Sequence, residues 1–200
     1  FDILKDRLYT SGPRSLARRS GQTAIYRLHL ALVRLLTPVL SFTCEEVWRH
    51  TTKPAGAPDS IHLDLFPKPQ DLTAGISDSD RERAAQWNRL MEVRNIVLKH
   101  LETERQDKIM GAMHEAAVFL DANDDIYPTL LEYAAQLPGL FIVSQVDLKK
   151  GGEQTVAVRV EHAKGDKCER CWKYTLDVGS DAQFSTICAS CAAAVKEFLE

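Results

Sequence analysis

The sequence has no run of eighteen uncharged apolar residues. Its most apolar stretch, Ile25 to Phe42, is broken by Arg27, His29 and Arg34, so no membrane-spanning helix is expected. Proline and glycine are scarce, 8 and 10 among 200 residues, which excludes collagen-like and low-complexity chains. With 44% hydrophobic and 26% charged residues, disorder is excluded as the main state. A strong charge of one sign is missing too. The net charge of −3 argues against a uniformly basic nucleic-acid binder. No internal repeat is present. The opening Phe1-Asp2-Ile3-Leu4-Lys5 lacks a signal-peptide pattern and reads as a start inside an amphipathic helix, so a segment of a longer chain is expected.

What charge there is lies unevenly. Residues 1–50 hold twice as many Lys and Arg as Asp and Glu, whereas residues 51–165 and 166–200 are each acidic on balance. The positive field therefore sits at the front. There, Ile25, Leu28, Leu32, Leu35 and Leu36 follow helical spacing, and Leu30, Ala31 and Val33 widen the stripe, predicting a helix from Gly21 to Leu36 buried on more than one side. Pro38 ends or kinks it, and Thr43 with Glu46 reads as a capping box for a short helix through Val47 and Trp48.

Pro54, Pro58, Pro67 and Pro69 mark residues 51–77 as a Pro-rich connector with one strand-like alternation, Ile61, Leu63 and Leu65. Ser79 and Glu82 then form a second capping box, and Trp87, Leu90, Met91, Arg94, Val97, Leu98 and Leu101 predict a long helix within 78–108. Beyond it the period changes. Runs at 116–120, 140–143 and 155–160 read as strands, with a helix through Tyr127, Leu130, Leu131 and Ala134 closed by Pro138-Gly139. Residues 109–165 are thus expected to be a small α+β module of βαββ order. The fold class is multidomain and mainly α.

The chemistry concentrates at the end. Cys168-Glu169-Arg170-Cys171 and Cys188-Ala189-Ser190-Cys191 are two Cys-x-x-Cys turns separated by Trp172 to Ile187, a spacing suited to a four-thiolate zinc site. A two-residue spacer aims two sulfurs at one cation, and the intervening segment can fold as a hairpin that bends at Gly179-Ser180. Four thiolates fill a tetrahedral shell, so the one ion per chain would be structural, in a module of residues 166–200. Two disulfides or buried free thiols are the alternative, although an odd total of five cysteines favours a reducing compartment and a metal. Lys167, Arg170 and Lys173 would offset thiolate charge or face phosphate. Trp172 is a lid on the metal knuckle or a platform for an unpaired base. Cys44 reads as a small buried hydrophobe. Arg14, Arg18 and Arg19, flanked by Lys5 and Arg7, surround a Ser-Gly-Pro turn and read on their own as a solvated basic loop.

Lys5-Asp6-Arg7-Leu8-Tyr9, Arg18-Arg19-Ser20-Gly21-Gln22-Thr23-Ala24 and Leu36-Thr37-Pro38-Val39-Leu40-Ser41-Phe42-Thr43-Cys44-Glu45-Glu46-Val47-Trp48 resemble the helical anticodon-binding domain of class I aminoacyl-tRNA synthetases of the isoleucine, valine and leucine group. Gly165-Asp166-Lys167-Cys168-Glu169-Arg170-Cys171-Trp172, with its second Cys-x-x-Cys, is similar to the C-terminal zinc module of the bacterial-type isoleucine enzymes. The resemblance implies that 1–50 and the long helix at 78–108 belong to the anticodon-binding bundle, followed by the α+β junction and a zinc-ribbon-like module. It implies zinc on Cys168, Cys171, Cys188 and Cys191, and contact with a tRNA for isoleucine through Lys5, Arg7, Arg14, Arg18, Arg19, Arg170, Trp172 and Lys173.

The family's His-x-Gly-His and Lys-Met-Ser-Lys-Ser signatures are absent, so no catalytic residue is carried over. ATP and magnesium are expected only in a catalytic domain outside this chain. A cytoplasmic, monomeric protein whose partners are tRNA and the remaining synthetase domains follows from the resemblance. Two other readings stand beside it. One is the zinc end of a formamidopyrimidine-type DNA glycosylase, whose Pro-Glu start is replaced here by Phe1-Asp2. The other is a structural zinc ribbon for protein binding.

Overall fold

The computed structural model describes residues 2–107 and 110–199. Phe1, Glu200 and the expected boundary at 108/109 lie outside them. The chain forms two compact units, Arg19–Asp78 and, as the other, the residues up to Arg18 together with those from Ser79 onward.

The smaller unit is helical. Helix α1 (Asp2–Thr10) precedes it, and α2 (Leu16–Leu36) starts earlier than Gly21, with Ser15 Oγ accepting from Arg18 N at 3.3 Å as an N-cap does. Then come α3 (Ser41–Arg49), a single 3-10 turn (Ile61–Leu63) and the short α4 (Pro69–Thr73). Leu30 and Val33 of α2, Cys44 and Trp48 of α3, and Ile61 form its core. Trp48 is fully buried, and its indole N–H donates to Pro58 O at 3.0 Å, which removes the cost of burying that polar group. Glu45 accepts from Ser60 Oγ and Ile61 N, tying the connector onto α3.

Three sequence expectations fail here. Leu28, Leu32 and Leu35 are about half exposed, so α2 is buried along one side only, through Leu30, Ala31 and Val33. Ile61 to Leu63 form a 3-10 turn instead of a strand, because the Ser60 side chain accepts from His62 N and closes a local turn. Thr43 lies inside α3, whose N-cap is Leu40.

The larger unit is built on α5 (Asp78–Gln106) and a three-stranded sheet of order β2-β1-β3. Ser79 sits within α5, not ahead of it. Strand β1 (Ala116–Ala122) pairs parallel with β2 (Gln145–Lys150) and antiparallel with β3 (Val156–His162). Helices α6 (Tyr127–Glu132) and α7 (Leu137–Phe141) make the crossover from β1 to β2. Leu90, Val93, Val97 and Leu101 of α5 pack with Val118, Leu120, Leu130, Leu137 and Phe141 in one core. Each such burial is worth roughly 1.5–3 kcal/mol. Arg94 Nε donates to Leu140 O at 2.9 Å, fixing α7 to α5.

The run Leu140-Phe141-Ile142-Val143, expected as a strand, instead ends α7 and turns through Ile142 at φ 61. A one-turn helix buried on all sides and a buried strand give the same uninterrupted apolar run. Pro138 opens that helix instead of closing the one before it, as its missing N–H allows in a first turn. The second strand lies at Gln145–Lys150, a sheet edge whose Asp147, Lys149 and Lys150 break the apolar pattern. Two further two-residue strands, β4 (Asp166–Lys167) and β5 (Tyr174–Thr175), and a final helix α8 (Ala189–Leu199) complete a mainly helical chain with a small mixed sheet. No helix among the described residues is long and apolar enough to cross a membrane.

Trp48→Ala is expected to lower the stability of the smaller unit by about 3–5 kcal/mol. A urea titration followed by far-UV circular dichroism checks this, and an unchanged midpoint would contradict the core assignment.

Candidate metal centre and nucleic-acid interface

The first knuckle grows out of β4. Asp166 pairs with Thr175 and Lys167 with Tyr174, and Cys168 N donates to Lys173 O at 2.9 Å while Trp172 N donates to Cys168 O at 2.8 Å. That turn is tight enough to put Trp172 at φ 64, an uncommon value for a bulky residue. Gly165 at φ +96 precedes it, and a Cβ there would run into the Thr175 carbonyl group, so only glycine fits. The second knuckle sits at the start of α8. Asp177 Oδ2 accepts from Ala189 N at 3.2 Å, and Ala192 N donates to Cys188 O at 2.9 Å. Glu169 N donates to Thr186 O and Cys188 N to Cys168 Sγ at 3.3 Å, closing one knuckle on the other.

The result is four sulfurs, from Cys168, Cys171, Cys188 and Cys191, all within 4.8 Å of one another. Cys168, Cys188 and Cys191 are buried and Cys171 is half-buried. All are unbridged, as is Cys44, which lies in the core of the smaller unit. A tetrahedral zinc with bonds of about 2.3 Å needs sulfurs about 3.8 Å apart, and Cys171 Sγ stands 3.9 Å from Cys188 Sγ. The donor set and its spacing fit zinc. The Cys171 thiol donating to it, with the Arg170 guanidinium beside it, brings the Cys191 thiol down to about 5. Cys171 is pushed up in exchange, and burial raises Cys188. With the four sulfurs filling the shell, such an ion would hold the fold together and offer no open coordination position.

The basic residues nominated from the sequence separate into two groups. Arg170 is engaged within the protein. Its Nη1 donates to Thr10 O at 2.6 Å and to Cys191 Sγ at 3.4 Å, and its Nη2 donates to Tyr9 O at 3.2 Å. It thus caps the C-terminal carbonyls of α1 while touching the thiol cluster. Lys173 Nζ lies 2.6 Å from Asp6 Oδ2 in a mostly buried ion pair. Lys5 pairs with Asp2 at 3.0 Å, and Arg7 reaches Gln136 Oε1 at 3.4 Å.

The second group is outward-facing. Arg14 and Arg19 are exposed with no ion-pair partner among the described residues. Arg14 is held by its backbone N–H, which donates to Glu197 Oε1 at 2.6 Å. Arg18 is half-buried and donates through Nη1 to Ser11 O. Trp172 is 62% exposed, with Lys167 Nζ 5.9 Å from its ring centre, so much of its ring faces solvent.

Several site-building residues went unread in the sequence. Gln145 donates to Lys164 O at 2.7 Å and to Tyr174 O at 3.3 Å, and accepts from Lys164 N. With Ser144 Oγ accepting from Tyr174 N at 2.7 Å, it fastens the knuckle to β2. Within the smaller unit, Arg27, Arg34, Phe66 and Lys68 border a cavity of about 590 Å³, where Arg34 pairs with Asp64 at 2.8 Å. Exposed apolar residues beside cations are the signal that marks such places, and no periodicity carries it.

Residues 1–120 match the family model of the anticodon-binding domain of tRNA ligase, and residues 165–194 that of the zinc finger found in FPG and IleRS. An isoleucine–tRNA ligase of Symbiobacterium thermophilum is 44% identical over 210 residues, covering 98% of this chain and 22% of that protein. Relatives of the same name from Desulforamulus reducens, over 207 residues, and Glaesserella parasuis, over 199, are each 41% identical. The chain spans 22% and 21% of their lengths, so it corresponds to a segment of those proteins. The match over 1–120 removes the DNA glycosylase reading, since the finger shared with that group here follows an anticodon-binding domain.

Gly165→Ala is expected to disrupt the β4–β5 hairpin and weaken metal uptake. Titration of the metal-free protein with cobalt(II), which gives a visible spectrum in a tetrahedral thiolate site, checks both that fit and the variant's loss. Uptake equal to that of the parent chain would contradict the close approach.

Proposed function

The chain belongs to the family of anticodon-binding domains of tRNA ligases, and from that premise we propose that it is the C-terminal, tRNA-binding part of an isoleucine–tRNA ligase. The observation that carries this reading is the pairing, in one chain, of that domain with the four-cysteine finger. The parent enzyme joins isoleucine to its tRNA with ATP and magnesium in domains outside this chain. It acts as a cytoplasmic monomer. In the module of residues 166–200, one structural zinc is held by Cys168, Cys171, Cys188 and Cys191.

Specific RNA recognition addresses unstacked loop bases, which aromatic rings and guanidinium planes can stack on. Arg14, Arg18, Arg19 and the exposed ring of Trp172 meet the anticodon arm, with Lys5 and Arg7 adding positive field near it. Arg170 and Lys173 contribute differently from the cations around them. Their contacts with Tyr9 O, Thr10 O and Asp6 favour a role in holding α1 against the zinc module, so that the RNA-facing residues keep their places.

Three phosphate contacts on single-stranded RNA give a slope of about −2 in log affinity against log salt. The deciding experiment is fluorescence binding of this chain to an isoleucine tRNA and to a non-cognate tRNA, with and without a zinc chelator. The expected result is cognate preference that chelation abolishes, with about one zinc per chain released. Equal weak binding unaffected by chelation would reduce the zinc module to a structural cap and place discrimination elsewhere. Arg18→Ala with Arg19→Ala is expected to weaken binding about tenfold at unchanged helix content, and unaltered affinity would remove those two assignments.

A further inference from the structure

In the larger unit the C-terminal end of α1, the loop after it and α8 border an open cavity of about 310 Å³ lined by Tyr9, Ser11, Pro13, Arg18, Arg170 and Phe198, together with Ala194 and Val195. Its walls have an uncommon makeup. Tyr9 and Phe198 are each 76% exposed, and among the described residues neither ring pairs with another aromatic. An exposed Phe near the end of a helix adds nothing to the core, and here two such rings border one concavity next to two guanidinium groups.

The cavity is held in shape from three sides. Arg170 fixes the α1 end through the carbonyls of Tyr9 and Thr10. Glu197 of α8 accepts from Arg14 N, and Gly12 is approached so closely by the Glu197 carboxylate that a Cβ would collide with it. Arg18 spends only Nη1, on Ser11 O, so its remaining N–H donors have no protein partner among the described residues. A small hollow with exposed aromatic rings, apolar lining and unspent planar donors suits a flat, polar-edged ligand attached to an anion.

We propose that this cavity seats one unstacked nucleobase of the bound RNA, its face against Tyr9 or Phe198 and its edge or adjoining phosphate met by Arg18. The inference rests on the tRNA-binding reading and deepens it, since it names a base-binding position formed jointly by α1 and α8. Neither ring was among the residues nominated from the sequence. The volume, at the small end of ligand sites, accommodates a single base. A single-stranded loop supplies such a base, whereas a continuous duplex keeps its bases stacked.

The test measures binding of this chain to a stem–loop RNA carrying the isoleucine anticodon arm and to a plain RNA duplex of equal charge. Phe198→Ala and Tyr9→Ala are expected each to weaken the stem–loop about tenfold and to leave duplex binding and cobalt(II) uptake unchanged. Phe198→Trp should restore stem–loop affinity. Unchanged stem–loop binding in both alanine variants, with the parent chain still binding, would overturn the base seat and leave the tRNA reading intact. Equal weakening of both RNAs would overturn it as well, by showing a contact with backbone only. Failure of the unaltered chain to bind the stem–loop would remove both the seat and the reading it rests on.

Discussion

Four sulfurs within 4.8 Å in a largely buried space can all be thiolates only when something positive lies among or beside them, because thiolate charges at that range repel strongly in a medium of low polarity. A divalent ion meets that need, and Arg170 adds a second positive charge at Cys191. The same guanidinium takes the carbonyls of Tyr9 and Thr10, where a helix presents its negative end and welcomes a cation. One planar side chain thus links the balance of charge around the sulfurs to the position of α1. Lysine, a point charge without the fork, would satisfy one of these partners at a time.

This dependence reflects how little apolar material the end of the chain has. The buried cluster there consists, among the described residues, of the cysteines themselves, with Val178 and Ile187 against them, whereas the core around α5, β1, α6 and α7 gathers seventeen buried residues among those described. A segment of that size cannot stabilise itself by hydrophobic burial. Polar docking takes over, and a metal held by the four thiols would add to it. Gln145, Ser144 and the Lys173–Asp6 pair attach the knuckle to β2 and α1, so the sheet acts as a base plate and the thiol cluster as the fastening at its edge.

How much of this was legible follows the range of each interaction. That the four cysteines would come together could be read outright, since Cys-x-x-Cys spacing encodes a local turn that folds the same way wherever it sits. The long helix α5 was equally plain, because its buried Leu90, Val93, Val97 and Leu101 recur at the helical period. Where two structures share one pattern the reading failed, as at Leu140-Phe141, a buried helical turn that resembles a buried strand. The edge strand Gln145–Lys150 was invisible because its outer positions are charged. Arg170 and Lys173 read from the sequence only as cations that offset thiolate charge or face phosphate; their partners Thr10 and Asp6 lie some 160 residues away in sequence, a distance no local motif spans. The cavity rimmed by Tyr9 and Phe198 joins the two ends of the chain and is hidden for the same reason.

The charge distribution constrains how an acidic chain of net −3 meets a polyanion. Lys5 and Lys173 are held in ion pairs with Asp2 and Asp6, and the field of the positive charge that is left unpaired decays within roughly 8 Å at physiological salt. Long-range attraction is therefore weak and shared with every RNA. Phosphate contacts position a nucleic acid without identifying it. Recognition in such a chain must come from short-range groups that a duplex cannot satisfy, which are flat rings open to solvent and guanidinium groups with donors to spare. Trp172, Tyr9, Phe198 and Arg18 have that character. Of these, the ones around the α1–α8 cavity are tied to the thiol cluster through Arg170, so on the proposed reading loss of a bound metal would act on recognition through geometry.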